Sequence, residues 1–179
     1  VDATGFWQVH PGAADALSMC VNDFAAALPD ETALDLYSGV GLFAAGLAAG
    51  VGPGGRVVAV EGNERACRDA RRNLHDLSRV EIVHADVRRW LGRGGGGAGV
   101  HADIAVLDPP RSGAGKEVAG GISRTGVSRV IYVSCEPTTL VRDLNYFTEH
   151  GLHPQRVRAF DCFPMTHHME TVVLLERAT

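Results

Sequence analysis

The chain has 179 residues, 45% of them hydrophobic and 21% charged, with a formal net charge of −4. That length suits one domain with a full core, and no uninterrupted apolar run reaches the roughly 18 residues of a membrane span. The acidic balance excludes a broadly basic nucleic-acid surface, so any grip on RNA or DNA is expected to be local or to come from another domain. Residues 1–30 carry no basic segment followed by an apolar stretch, so no secretory signal is read there. The chain starts at Val1, as expected of a piece of a longer protein. No two of Cys20, Cys67, Cys135 and Cys162 are spaced Cys-x-x-Cys, so no metal site is expected, and a reducing, cytoplasmic compartment is the simplest setting.

Apolar, β-rich runs alternate with helical patterns along the chain. A helix over 10–28 comes first, then a strand, TALDLYS (32–38), and a helix over 42–49. A strand, RVVAVEG (56–62), a helix over 64–77 and a strand, VEIVHAD (80–86), follow. GRGGGGAG (92–99) reads as a flexible surface loop, because the strand-like ADIAVLDPP (102–110) resumes the pattern after it. The glycine-rich 113–126 is a weaker helical pattern. RVIYVSC (129–135), a helix over 138–150, RVRAFDCF (156–163) and TVVLLER (171–177) complete the chain. Runs apolar on both faces, separated by helices, predict a doubly wound, Rossmann-like α/β sheet of seven strands. No helical pattern lies between the last two runs, so they are expected to close the sheet as an antiparallel hairpin.

Ligands of such sheets sit beyond the carboxyl ends of the strands. The first strand runs into DLYSGVGLF, where Gly39 and Gly41 permit a tight turn and a close backbone approach. This is neither a dinucleotide Gly-x-Gly-x-x-Gly nor a phosphate-binding Gly-Lys-Ser/Thr loop. The second strand ends at Glu61, suited to two ribose hydroxyls, and the third at Asp86, able to accept from an adenine amino group. Taken singly, each acid is as readily a helix cap or first-turn acid. Together, and in order, they ask for an adenosine ligand without a pyrophosphate, which S-adenosylmethionine satisfies better than NAD.

The fourth strand ends in Asp108-Pro109-Pro110-Arg111, where the prolines stiffen the backbone beside a carboxylate. Methyltransferases that act on amino groups place an aromatic residue after the two prolines, so Arg111 argues against an amine target. A charged Asp108 accepts hydrogen bonds only, which favours uracil, with a hydrogen on N3, over cytosine. The fifth strand ends at Cys135, just before a helix start near Pro137, where a thiol is expected to have a lowered pKa against the opposing charge of Glu136. Carbon-5 of a pyrimidine is a poor nucleophile until a thiolate adds at carbon-6. Such chemistry also needs a base to take the hydrogen from carbon-5. Glu170 is the leading candidate, although position alone slightly favours an exposed strand-start acid. Asp161 and Glu136 are weaker candidates. His167 and His168, adjacent on an extended segment, are read as loop or packing residues and not as a joint metal site.

In order, FWQV (6–9), DLYSGVG, Glu61, DPPR, SCEPTTLVRDL (134–144) and FPMTHHME (163–170) resemble the S-adenosylmethionine-dependent RNA uracil-5 methyltransferases of tRNA and ribosomal RNA. The resemblance runs nearly end to end. It implies a class I methyltransferase sheet, S-adenosylmethionine as methyl donor and an RNA substrate. It also implies that residues 1–179 are a catalytic domain, separated from the N-terminal RNA-binding barrel of full-length members. The nucleophile's role falls on Cys135 and the general base's on Glu170. Cofactor contacts fall on Gln8, Tyr37, Glu61, Asp86 and Asp108. Ser38 stands where a cysteine is common, and Leu42 where some members carry an amide. Two alternatives stay open: a cytosine-5 or base-amino methyltransferase, and a cofactor-binding module that has lost catalysis.

Overall fold

The computed structural model describes residues 12–161 and 169–177. Along the chain these form α1 (Ala13–Ala25), β1 (Thr32–Leu36), α2 (Leu42–Val51), β2 (Arg56–Glu61), α3 (Glu64–Asn73), β3 (Val80–His84) and α4 (Val87–Leu91). They continue with β4 (Ile104–Leu107), α5 (Gly115–Arg124), β5 (Arg129–Ser134), α6 (Pro137–Glu149), β6 (Leu152–Phe160) and β7 (Glu170–Arg177). All seven strands lie in one sheet, in the order β3-β2-β1-β4-β5-β7-β6. The first five in that order are parallel, and β7 runs antiparallel to both β5 and β6. The expected doubly wound sheet and closing hairpin are both present.

Side chains alternate between two cores because successive strand residues point to opposite faces. Leu34, Leu36, Leu107, Tyr132 and Val173 face α4, α5 and α6. Ala33, Val106, Ile131, Val133 and Val172 face α1 and α2, with Leu74 at the end of α3 joining them. Asp35 breaks the apolar run of β1 and points to the second face, at 0% exposure. Among the described residues no helix is long and apolar enough to cross a membrane.

Three local expectations change. Helix α4 was not anticipated; it has five residues and is held at its start by Asp86, whose Oδ1 accepts the Arg89 N–H at 2.9 Å. Strand β6 begins at Leu152 instead of 156, because Pro154 is tolerated on an edge strand where a bulge separates it from Arg156. The glycine run at 92–99 is a loop, but it packs: a Cβ on Gly97 would lie 2.8 Å from the Trp90 ring.

Close approach also explains the glycine-rich α5. A Cβ on Gly121 would meet the Cβ of Leu91 at 2.7 Å, so the helix sits against α4 only because that side chain is missing. Gly121→Val is expected to destabilise the fold by about 1–3 kcal/mol through overpacking, read as a lower urea midpoint with an unchanged slope.

Candidate active site

Parallel strands deliver their carboxyl ends to one rim of the sheet. The strand order therefore dictates the order of the rim residues in space: Asp86 after β3, Glu61 ending β2, the Tyr37–Gly41 turn after β1, Asp108 after β4, and Cys135 after β5. Glu170 joins them from the opposite chain direction. Strand β7 starts at this rim because it is antiparallel, with Ser134 paired to Thr171. That ladder ends one residue short of Cys135 on β5 and one short of Glu170 on β7, so the two residues stand at the same end of the sheet. Of the candidate residues, Gln8, Cys162, His167 and His168 lie outside the described residues.

The turn after β1 has three residues in the left-handed region: Tyr37 (φ +61°), Gly39 (φ +55°) and Gly41 (φ +90°). A positive φ is uncommon for an aromatic residue and marks a backbone held in place by its surroundings. Glu61 is part of what holds it. Its Oε2 accepts the Gly39 N–H at 2.9 Å and its Oε1 the Asn63 N–H at 2.6 Å. Among the described residues, none but its own chain neighbours has a heavy atom within 4 Å of where a Gly39 Cβ would stand, so the turn is open there. Burial pushes the Tyr37 hydroxyl up to about 12, with the Asp86 charge adding to the effect. Asp86 itself is exposed and caps α4.

The chemical end is a cluster of acids around a thiol. Glu170 is 4% exposed, not the exposed strand-start acid that position alone favoured, because β5 and β6 cover the start of β7. Burial raises its pKa above the ordinary carboxylate range. Asp108 is pushed up to about 7, first by burial and then by the Glu170 charge. Its charge at neutral pH is thus divided between two forms, and the discrimination that assumed a charged Asp108 loses part of its basis.

Cys135 is half-buried, and its pKa is raised, not lowered as the helix start had suggested. Burial is the largest cause and the Glu170 charge the second; a hydrogen bond and charge from Arg111 act against them, and Asp108 adds a smaller rise. The helix start gives little help because Glu136 already occupies it, its Oε1 accepting the Thr138 N–H at 3.2 Å. That cap also accounts for Glu136, while Asp161 is exposed beyond the end of β6. Cys20 and Cys67 are buried thiols on α1 and α3. No group of three potential metal ligands occurs among the described residues.

Sequence reasoning missed two participants. Arg111 was noted only for not being aromatic, yet its positive charge is what opposes the rise in the Cys135 pKa. Asp35 went unremarked, although a lone acid inside an apolar strand was a usable signal. Its Oδ2 accepts the Ala44 N–H at 2.8 Å, while its Oδ1 has no hydrogen-bond partner among the described residues. Burial pushes it up to about 8; the Ala44 bond opposes the rise, and the charges of Asp108 and Glu61 add to it.

A raised carboxyl pKa favours the folded state at low pH and withdraws that contribution as pH climbs to the folded value. For Asp35 the window runs from the ordinary carboxylate range up to about 8. Wild-type protein is therefore expected to lose melting temperature across this window more steeply than Asp35→Asn. The difference should be at least about 3 °C by calorimetry.

Comparison with known proteins follows the same division of the chain. Residues 100–178 match the family model described as tRNA (uracil-5-)-methyltransferase. Residues 13–95 match the model of protein-L-isoaspartate(D-aspartate) O-methyltransferase. An uncharacterized RNA methyltransferase of Streptomyces avermitilis is 46% identical over 178 residues, covering 99% of this chain and 40% of that protein. One from Bifidobacterium longum is 42% identical over 186 residues, covering 99% and 42%. The chain thus spans about two fifths of the length of these curated relatives. Among solved structures, the Pyrococcus abyssi tRNA (uracil-54, C5)-methyltransferase in complex with S-adenosyl-L-homocysteine superposes with a TM-score of 0.79 at 30% identity, covering 96% of this chain and 40% of that one.

Proposed function

We propose, because the chain belongs to the RNA methyltransferase family of the tRNA (uracil-5-)-methyltransferases, that it carries the catalytic centre of an enzyme methylating carbon-5 of a uridine in tRNA or ribosomal RNA. The observation that supports this reading most is the antiparallel pairing of β7 on β5, which brings a buried carboxylate, Glu170, to the rim where Cys135 stands, its charge felt by the thiol. A nucleophile and a base on the same rim are what pyrimidine carbon-5 chemistry needs. The curated relatives' longer chains leave room for the RNA grip that an acidic segment lacks.

The rim fits S-adenosylmethionine. The left-handed turn at Tyr37, Gly39 and Gly41 leaves open backbone at Gly39, and Glu61 retains lone pairs for ribose hydroxyls beyond the two backbone bonds it accepts. Tyr37, Gly39, Gly41, Glu61, Asp86 and Asp108 are the described residues that would hold it, together with Gln8. When bound, the cofactor supplies an electrophilic methyl group.

The protein's part is addition, proton removal and release. The Cys135 thiolate adds to carbon-6 of the uracil, forming an S–C6 bond and placing enolate character on carbon-5. That carbon accepts the methyl. Glu170 then takes the hydrogen from carbon-5, the C5–C6 double bond reforms, and the S–C6 bond breaks to free the thiolate. Burial raises Glu170's affinity for that proton. Arg111 favours the thiolate at both ends of the cycle. The target base must leave its stack to reach the rim.

Intact mass of the full-length protein, mixed with S-adenosylmethionine and 5-fluorouridine-substituted RNA, tests the assignment. Fluorine cannot leave as a proton, so a covalent protein–RNA adduct should accumulate, and Cys135→Ala should abolish it. Absence of the adduct, with RNA and cofactor both bound, would replace this reading with a base-amino target or a non-catalytic module. On ordinary uridine RNA, Glu170→Gln should slow turnover by about 10²–10⁴-fold, the range of a lost general base, while the methylated adduct builds up. Loss of turnover with no trapped adduct would remove Glu170 from the base role.

A further inference from the structure

The loop after the two prolines, residues 111–115, makes little structure of its own. Its one internal backbone bond runs from the Gly113 N–H to the Pro110 carbonyl at 2.8 Å. Five further hydrogen bonds fasten it to β5 or α6, the two elements on either side of Cys135. Thr139 Oγ1 donates to the Arg111 carbonyl at 3.0 Å, and Arg142 Nη2 to the Ser112 carbonyl at 2.8 Å. The Ala114 N–H donates to Asp143 Oδ2 at 2.6 Å and to the Tyr132 hydroxyl at 3.2 Å, and the Gly115 N–H to Asp143 Oδ2 at 3.2 Å.

Asp143 is the centre of this arrangement. It is 0% exposed. Besides the two loop amides, Oδ2 accepts from the Tyr132 hydroxyl at 2.7 Å, and Oδ1 accepts from Arg142 Nε at 3.0 Å and Nη2 at 2.7 Å. Buried carboxylates are costly unless their lone pairs are filled, and here both oxygens are. The loop also lies close enough to need a glycine. A Cβ on Gly113 would come within 2.5 Å of both Asp143 Oδ2 and Arg142 Nη2.

We infer that Asp143 is a positioning residue: with Tyr132, Thr139 and Arg142 it fastens the loop of residues 111–115 to the two elements on either side of Cys135, and so fixes where Arg111 stands relative to the thiol. The sheet alone does not do this. β4 and β5 pair only as far as Leu107 and Tyr132, short of both Arg111 and Cys135. The inference rests on the proposed use of Cys135 as a nucleophile, but it concerns the thiol's reactivity and is read without methyl transfer.

The test is alkylation of the full-length protein by iodoacetamide over a pH series, with Cys135 modification followed by peptide mass spectrometry. Asp143→Asn, which must turn an N–H toward existing donors, and the milder Thr139→Val should both move the profile to higher pH. Near neutral pH the rate should fall by about three- to tenfold, as the thiolate fraction falls. In an Arg111→Ala background neither substitution should shift the profile further. Unchanged profiles in folded variants, or equal shifts with and without Arg111, would overturn the inference. If Asp143→Asn does not fold, Thr139→Val with and without Arg111 decides it alone. A protein that alkylates as expected but transfers no methyl group would fail the functional reading and leave this one standing.

Discussion

The site depends on the reversal of one strand. Five parallel strands carry their carboxyl ends to a common rim, and a parallel sheet offers a ligand nothing but those ends and the loops beyond them. Strand β7 enters from the other direction, so its first residue, Glu170, arrives at the same rim paired with Phe160 of β6, next to the Thr171 that pairs with β5. A carboxylate at a strand start is thereby buried against a thiol at a strand end. The rigid ladder ends one residue from each of them and so holds both at one rim, whereas two loops would have to find that arrangement.

That construction gathers acids. Asp35, Asp108 and Glu170 are all raised, in each case chiefly by burial, and Asp108 feels the Glu170 charge as a second cause. Desolvation without a cation favours the protonated forms, and proximity makes each acid's ionisation costlier for the next. Such a rim is poised for a positively charged ligand, whose arrival would relieve both effects. At the thiol the opposing charge is Arg111, the first residue past the stiff Pro109-Pro110 pair, and its loop is tied to the helix that follows the thiol.

The parts of the molecule that cap and fasten are economical in sequence. Glu61 closes the glycine turn with one oxygen and the start of α3's cap with the other. Asp86 starts α4, and Glu136 starts α6. Each of these acids stands at a strand tip, where a ligand contact and a helix cap make the same demand for an exposed lone pair. A cap does not rule out a ligand, because a carboxylate has lone pairs for both.

The alternation of apolar runs with helical patterns determined the doubly wound sheet and the rim at its strand ends, because the rim follows from chain direction; the order of the strands along it came from the structure. The motifs around Cys135 and DPPR were legible for the same reason, each lying at a predictable strand end. What only the tertiary structure decided depends on which atoms meet across the sheet. It buried Glu170 where position suggested exposure, since β5 and β6 cover it. It raised the Cys135 thiol where the helix start suggested the reverse, since burial is the largest influence on it and the Glu170 charge the second. It found the helix α4 in five residues too few for a periodic pattern. It also showed Asp143 holding five donors that lie far from it along the chain or on its own helix. Burial and hydrogen-bond partnership are properties of neighbours in space, and spacing along a chain does not contain them.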